Sequence, residues 1–270
     1  MPINIKKKKI SLSLQGLIDP LLKNYNDKII FISKIFPDIV DGIEIGFFLD
    51  QTIDVTKIFS SDKILNALNQ YSYNTIHVAN RSSSISLTDI GIVMQHANNL
   101  FKNQQIKHIG FHLDFFQKFD FILSLNKTNI PLFWENLGNT VNFGNRFQDM
   151  LKAIKLYPEW YVTFDIAHAM EMILKGEPYL KTYIKRLNLF IEQLHFSWPD
   201  NLYSDIIADK EFKTAHSFVH LKKNICPKYF DIVKKINPKI VTIEGVIPQG
   251  DIGIELVLRE INFIKSIFDY

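Results

Sequence analysis

The chain has 270 residues, of which 47% are hydrophobic and 22% are charged, and its formal net charge is +3 at pH 7. This composition is ordinary for a globular protein. The charge is too small to indicate nucleic-acid binding by itself, and no apolar run approaches the roughly 18 residues of a membrane span. The single cysteine, Cys226, excludes an intrachain disulfide and suits a reducing compartment, so we predict a cytoplasmic location.

The N-terminal residues 1–9 contain four consecutive lysines, Lys6 to Lys9, and we expect a solvated, frayed end there. The apolar run Leu12–Leu17 is broken by Ser and Gln and is too short for a signal peptide. From this point short strand-forming runs alternate with segments of helical spacing. Strands are predicted at Ile10–Leu14, Gly42–Phe48, Thr75–Val78, His108–His112, Pro131–Glu135, Tyr161–Asp165, Phe190–His195 and Ile240–Glu244. The clearest helices are predicted at Val55–Ser72, Leu87–Phe101, Phe143–Leu156 and Ile252–Phe268.

Eight strands that alternate with about eight helices are typical of parallel βαβ units. Eight such units in this length match a (β/α)8 TIM barrel, and we predict one domain over residues 1–270 because no linker rich in Gly, Pro or Ser divides the chain. A doubly wound open sheet is the alternative. The absence of G-x-G-x-x-G after the first strand weakens a dinucleotide-binding form of that sheet.

In six of the eight predicted strands, an apolar run finishes on a residue that can bind a metal or transfer a proton. The carboxyl ends of all strands in a parallel barrel meet at one face, so these side chains should converge. Burying them unpaired would be costly, whereas a shared cation uses the carboxylate charges and the imidazole lone pairs. Without thiolates, the set favours Mn²⁺, Mg²⁺, Zn²⁺ or Co²⁺ over soft metals. The six residues are His77, His112, Glu135, Asp165, His195 and Glu244.

Each of these residues also has a purely structural interpretation. A single His at a strand end is more often a hydrogen-bonded core residue, and a single acid commonly caps a helix. Six together favour a metal or acid/base cluster. Other residues of the same types are predicted to be structural or remain undecided. His96 lies inside a helix, His108 lies at the wrong end of its strand, Glu192 should form a structural pair, Trp134 and Trp198 should pack, and His220 is undecided.

The order of motifs resembles the xylose-isomerase-like TIM-barrel superfamily, which includes sugar (phosphate) isomerases and epimerases and the endonuclease IV type of abasic-site nuclease. The resemblance covers nearly the whole chain, from "ISLSLQGL" to "IEGVI". Its most specific element is D-x-x-H after the sixth strand, Asp165 to His168, and the second is "DGIEIG", Asp41 to Gly46.

On the sugar-enzyme side, the resemblance implies a divalent metal held by Glu135, Asp165, His195 and Glu244. It also implies that Glu135 and Glu244 exchange a proton at carbon, while His168 orients or polarises the substrate. The chemistry requires this combination, because a C–H next to a carbonyl is a weak acid. A cation that polarises the carbonyl stabilises the developing enediolate, and a general base and an acid must then face the carbon.

On the nuclease side, the resemblance implies a larger cluster that adds His77, His112, His168 and His216. The match fails at Thr214, where the nucleases have an Asp ligand. The segment after His77 lacks the aromatic residue that the nucleases insert into DNA, and "SFVHLKK" replaces their Gly-rich turn. These departures argue against a three-metal site but leave a one- or two-metal site open.

Three functional hypotheses follow. The preferred one is a metal-dependent sugar or sugar-phosphate isomerase or epimerase with a small-molecule sugar as its partner and no membrane contact. The second is a metal-dependent phosphodiesterase on abasic DNA, with a basic groove that Arg81, Lys102, Lys222 and Lys223 supply only in part. The third is a barrel that binds a metal or small ligand without turnover. Many relatives implied by the resemblance are dimers or tetramers, so a homo-oligomer is also an expectation.

Overall fold

The structure, a computed structural model, describes residues 7–17, 24–52, 58–80, 85–138, 143–174, 180–199, 216–222, 231–248 and 250–268. In these ranges the strands are β1 Lys9–Ser13, β2 Gly42–Phe48, β3 Thr75–Ala79, β4 His108–His112, β5 Leu132–Glu135, β6 Tyr161–Asp165, β7 Ile191–Phe196, β8 Trp198–Pro199, β9 His216–Ser217 and β10 Ile240–Ile243. The α-helices are α1 Tyr25–Ile35, α2 Asp62–Leu68, α3 Leu87–Lys102, α4 Phe119–Leu125, α5 Phe147–Leu156, α6 Ile166–Leu174, α7 Leu180–Leu187 and α8 Gly250–Ile267. Short 3-10 helices occupy Leu14–Gly16, Leu49–Gln51, Leu113–Lys118 and Val219–Lys222.

Eight of the strands form a closed barrel in the order β1-β10-β7-β6-β5-β4-β3-β2, and every neighbouring pair is parallel. Because β1 pairs with both β2 and β10, the sheet has no free edge, which excludes the doubly wound alternative. The remaining two strands, β8 and β9, form a small antiparallel ribbon. The predicted (β/α)8 barrel is therefore confirmed.

Alternation along each strand separates an outer from an inner set of side chains. The outward residues are large and apolar; Phe164 lies against Tyr183 of α7, and Phe196 lies against Phe263 and Phe268. Burying such rings between sheet and helices is the main source of stability in this architecture.

The inward residues change in character from one end of the barrel to the other. At the amino ends of the strands, Tyr73, Phe133 and Ile240 form a separate buried apolar cluster, with Tyr161 packed against it. Above it lies a hydrogen-bonded layer around Gln193, whose side chain contacts His108, Thr163, Thr242 and Glu44. The ionisable residues at the carboxyl ends come next. The polar interior is thus sealed at one end and opens at the other.

The strand predictions agree with the structure to within two residues, but three other expectations need correction. Lys9 is not part of a frayed end: it begins β1, and its Nζ lies 2.9 Å from Asp41 Oδ1. The helix predicted over Val55–Ser72 is described only as Asp62–Leu68, and residues 53–57 lie outside the description. The helix predicted from Phe143 begins at Phe147, because Gly144 has φ +92°, a left-handed value that an α-helix does not accommodate.

Among the helices that the structure describes, none combines the length and the apolar character that crossing a bilayer requires. The predicted cytoplasmic location stays a prediction.

Candidate metal centre

Four predicted ligands meet at the carboxyl end of the barrel. Glu135 and Asp165 end β5 and β6, His195 is the last residue but one of β7, and Glu244 directly follows β10. His195 Nδ1 lies 3.3 Å from Glu135 Oε2 and 3.2 Å from Glu244 Oε2. Candidate ligand atoms of Glu135, Asp165 and His195 all lie within 4.8 Å of one another. We call these four residues the central group.

The register of the parallel strands produces this convergence. Asp165 of β6 lies directly beside His195 of β7, and His112 of β4 lies directly beside Glu135 of β5. Neighbouring strands are about 4.8 Å apart, so side chains at paired positions on the same face must touch or share a ligand. Residues that are 23 to 30 positions apart in the sequence become neighbours in this way.

A second set of ligand atoms adjoins the central group on the side of β3 and β4. His77 Nε2 lies 2.9 Å from Glu135 Oε2, and the rings of His77 and His112 have centroids 5.0 Å apart. Candidate ligand atoms of His77, His112 and Glu135 again lie within 4.8 Å of one another. His77 is the middle residue of β3 rather than its last, since the strand continues to Ala79.

A third set combines two predicted histidines with Glu171, which was not singled out in the sequence. Candidate ligand atoms of His168, Glu171 and His216 lie within 4.8 Å of one another, and His168 Nδ1 is 3.6 Å from Glu171 Oε2. Gly138 makes room for this pair: a Cβ there would lie 1.9 Å from Glu171 Oε2 and 2.9 Å from His168 Nδ1. Only glycine fits without displacing these side chains.

Hydrogen bonds hold several of these ligands in place. The His168 backbone N–H donates to Asp165 Oδ1 over 2.7 Å, which caps α6 where it begins directly after β6. The Asn136 side chain accepts from the Asp165 backbone N–H and donates to the Asp165 carbonyl, over 2.7 and 2.9 Å. Ser197 Oγ shares a 2.9 Å hydrogen bond with His216 Nδ1, which leaves His216 Nε2 for the cluster. The D-x-x-H motif therefore joins the central group to the third set.

Burial and mutual attraction shift the ionisation of these residues in opposite directions. Burial raises the pKa of Glu135, but attraction to His195 and His77 outweighs it and holds the pKa well below the usual carboxyl range. Burial raises the pKa of Asp165 to about 7. Burial lowers the pKa of His168, but attraction to Asp165 reverses the shift and brings it to about 10. Burial lowers the pKa of His112 to about 3. Positive imidazoles thus compensate the buried carboxylates.

The residues present fit a bound divalent cation. Within the described part of the chain, Asp165 Oδ2 is a buried atom without a hydrogen bond, and leaving such an atom unsatisfied is costly. Glu135 Oε2 and His195 Nδ1 are also buried, and their neighbours are ionisable groups of the cluster itself. Each of these three residues offers a candidate ligand atom within 4.8 Å of those of the other two. The donors are carboxylate oxygens and imidazole nitrogens, which suit Mn²⁺, Mg²⁺, Zn²⁺ or Co²⁺. The only cysteine, Cys226, lies outside the described residues.

Two carboxylates beside the cluster were missed by the sequence analysis. Glu44 sits inside the motif "GIEIG" of β2, and its Oε1 lies 3.2 Å from His195 Nε2. The signal was present, since an acid at an inward position of a buried strand needs a partner. Glu171 lies within α6, where a single acid usually indicates a solvated helix face, so its sequence offered no comparable signal.

The other residues considered in the sequence have structural contacts. Trp134 is fully buried, and Glu192 pairs with Lys239 over 3.0 Å, so both structural predictions are confirmed. His220 Nδ1, undecided before, lies 2.6 Å from Glu260 Oε2. His108 starts β4 and is hydrogen-bonded to Tyr73 and Gln193. His96 lies on α3, and its ring is near the ring of Phe59. Trp198 packs against the hydrophobic core.

The prediction that Lys102 contributes to a basic groove around the mouth is wrong. Lys102 ends α3, and a helix that leaves the mouth after β3 must end at the opposite face of the barrel before β4 begins. Thr214, Arg81, Lys223 and the side chain of Lys222 lie outside the described residues.

Comparison with known proteins shows the fold. A D-psicose 3-epimerase solved in the presence of D-fructose superposes with a TM-score of 0.58 at 11% identity, over 96% of this chain and 99% of that one. A sugar phosphate isomerase/epimerase from Parabacteroides distasonis gives a TM-score of 0.53 at 10% identity, over 98% of both chains. No protein-family model and no curated protein sequence matches the chain.

Fold and site together define a (β/α)8 barrel with a candidate metal centre in its carboxyl-terminal mouth. The chain shares the barrel fold of these two solved structures, which is the fold that the resemblance in its motifs implied.

Proposed function

We propose that the protein is a metal-dependent isomerase or epimerase of a sugar or sugar phosphate. One observation carries the proposal: the Glu135 and Glu244 carboxylates approach His195 Nδ1 from two sides, at 3.3 and 3.2 Å, with Asp165 in the same cluster. Their strands are separated by β6 and β7 in the barrel wall, so the two acids can flank a substrate instead of contacting it from one side.

The central group would hold the divalent ion through Glu135, Asp165, His195 and Glu244. When bound, that ion would polarise a substrate carbonyl and lower the energy of the enediolate that forms from it. Glu135 and Glu244 would remove a proton from one face of the carbon and return one to the other. The barrel wall and its helices would exclude water from all but the open mouth.

His168 would bind the substrate beside the two acids. Its side chain is 22% exposed, in contrast to His195 at 0%, and its Nε2 lies 3.8 Å from Glu135 Oε1. A donor at this position can orient a hydroxyl or carbonyl oxygen towards Glu135. The similar solved structures, whose titles name an epimerase and an isomerase/epimerase, support this substrate class only through the fold.

The test is proton exchange in D₂O. The metal-free protein would be incubated with ketoses and aldoses, free and phosphorylated, with and without Mn²⁺ or Co²⁺. Deuterium incorporation at one carbon, dependent on the metal, is the expected result. Glu244→Gln should reduce turnover and exchange by about 10²- to 10⁴-fold, because the amide keeps the volume but cannot move the proton. Glu192→Gln, which alters a structural pair on the neighbouring strand β7, is the matched control. Full exchange in Glu244→Gln would contradict the acid/base role.

A second candidate function has its own supporting observation. The sets His77–His112–Glu135 and His168–Glu171–His216 adjoin the central group, which is more ligand capacity than a single-metal sugar enzyme needs. Glu171 offers a carboxylate although Thr214 stands where the nuclease resemblance implied an Asp. A metal-dependent phosphodiesterase acting on abasic DNA would use such a cluster to clamp a phosphate.

Metal content distinguishes the two candidates. One ion per chain after dialysis favours the sugar enzyme, whereas two or three favour the phosphodiesterase. His216→Ala should weaken a sugar enzyme only mildly but abolish a multi-metal nuclease. Cleavage of abasic DNA that is unaffected by this change would count against the larger cluster.

A further inference from the structure

Glu44 is a fully buried carboxylate that reaches across the barrel to a predicted metal ligand. It lies on β2, and His195 lies on β7, which does not adjoin β2 in the barrel. Their side chains are 1% and 0% exposed, and both Glu44 oxygens lie 3.2 Å from His195 Nε2. Burying a carboxylate is costly unless a positive partner compensates its charge, and the His195 imidazole is the group that does so at this distance.

The rest of the Glu44 environment fixes its orientation. Gln193 Nε2 donates to Glu44 Oε2 over 2.7 Å, and Thr75 Oγ1 donates to the same oxygen over 3.4 Å. Gln193 is itself held by Thr163, whose hydroxyl donates to its Oε1 over 2.9 Å, and by Thr242. Glu44 therefore belongs to the rigid polar layer below the mouth and not to the open cluster above it.

We propose that Glu44 is a positioning residue for His195. It accepts a hydrogen bond from Nε2–H, which leaves Nδ1 as the lone-pair nitrogen that faces Glu135 and Glu244. A carboxylate on the far nitrogen of a ligating imidazole fixes its tautomer and rotation and raises its basicity. The inference rests on His195 being a ligand, as in the proposed function, but not on which substrate the protein converts.

The arrangement is directional because both ring nitrogens of His195 contact carboxylates. Nδ1 has Glu135 and Glu244 at 3.3 and 3.2 Å, and Nε2 has only Glu44 among the acids of the described residues. Turning the ring by 180° would replace nitrogens by carbons at both ends. The imidazole thus has one orientation that satisfies all three carboxylates.

A direct role of Glu44 as a ligand is the rival outcome. Candidate ligand atoms of Glu44, His77 and His195 lie within 4.8 Å of one another. An ion at that position would compete with Gln193 and Thr75 if it bound Glu44 Oε2. It would also require His195 to bind through Nε2 instead of Nδ1.

The test uses the protein after its metal has been removed and Co²⁺ has been added. In the wild type, proton NMR of the Co²⁺ form should show a paramagnetically shifted, exchangeable N–H of a histidine bound through Nδ1, and the signal should disappear in His195→Ala. In Glu44→Gln we expect the affinity for Co²⁺ to fall about 10- to 100-fold at unchanged stoichiometry, with this N–H signal displaced and exchanging faster.

Glu260→Gln is the matched control, because it alters another buried Glu–His pair, with His220, outside the cluster. It should lower thermal stability but change the Co²⁺ affinity by less than about twofold, since its carboxylate is not linked to a ligand. Equal effects of the two variants on affinity would show that Glu44 acts only through stability and would overturn the proposal.

Three further outcomes would overturn it. They are an unchanged affinity and N–H signal in Glu44→Gln, the loss of one ion per chain in that variant, and coordination of His195 through Nε2. The last is measured on the wild type and decides the question even if Glu44→Gln does not fold. Absence of sugar turnover in a wild type that binds Co²⁺ through Nδ1 would refute the proposed function but leave this inference intact.

Discussion

The two ends of the barrel interior are built by the same strands but differ in chemistry. At the amino ends, Tyr73, Phe133 and Ile240 form a buried apolar cluster. At the carboxyl ends, inward positions further along the same strands carry carboxylates: Glu135 lies two residues after Phe133, and Glu244 lies four residues after Ile240. The apolar end thus contributes mainly to stability, and the ionisable end is the candidate binding site. A substitution at the apolar end should therefore affect mainly stability, and one at the ionisable end mainly ligand binding.

The largest expected effect is on stability. Phe133→Ala should lower the free energy of unfolding by about 3–5 kcal/mol, because it removes a fully buried ring that stacks on His108 at 4.0 Å between centroids. Urea unfolding of the metal-free protein measures this. The affinity for Co²⁺ should stay within a few-fold of the wild type. A folded variant that no longer binds the metal would show that the two ends are not independent.

The matching change at the mouth is Asp165→Asn. It keeps the hydrogen bond from the His168 backbone N–H but replaces a charged ligand by a neutral amide. We expect the affinity for Mn²⁺ or Co²⁺ to fall at least a hundredfold, about 3 kcal/mol. Isothermal titration calorimetry measures it. Asp120→Asn, which alters an exposed acceptor of the Tyr157 hydroxyl, is the control. Equal affinities in the two variants would remove Asp165 from the ligand set.

The sequence predicted those features of the fold that depend on neighbouring residues or on a pattern that repeats along the chain. Strand positions follow from apolar alternation, and the convergence of strand ends follows from parallel topology. The inward acid Glu44 was itself a signal, but its partner could not be predicted, because His195 is 151 positions away and lies on a strand that does not adjoin β2. No local pattern encodes a contact across the barrel interior. The helix predicted at Val55–Ser72 was too long because apolar spacing continues beyond Leu68, where the chain already turns towards β3.

The hydrogen-bonded layer around Gln193, which lies between the two ends, should affect how the free energy of unfolding changes at acid pH. Burial lowers the pKa of His108 to about 3, against an ordinary value of 6.5. Between these values the unfolded state binds the extra proton, so stability should fall as the pH drops below about 6.5 and continue to fall towards pH 3. The groups that surround the imidazole are Tyr73, Gln193, Phe133, Glu44, His77 and His195.

His108→Gln should remove that contribution, which amounts to about 2 kcal/mol at pH 5 relative to neutral pH. Urea unfolding of the metal-free protein at pH 5 and at pH 7.5 measures it. His96→Gln is the control, because His96 is only partly buried. If the two variants show the same pH dependence as the wild type, His108 is not neutral in the folded protein.

The smallest expected effect tests whether the third set of ligands acts separately from the central group. Gly138→Ala places a methyl group where the Glu171 and His168 side chains meet. Both side chains are about one-fifth exposed, so Glu171 can turn towards solvent, and unfolding should become easier by no more than about 1 kcal/mol. The central group should keep its Co²⁺ affinity, while the KM for the substrate rises several-fold through displacement of His168. Gly91→Ala, at a helical position with open space around it, is the control. A loss of central-group affinity in Gly138→Ala alone would mean that the mouth behaves as one coupled cluster.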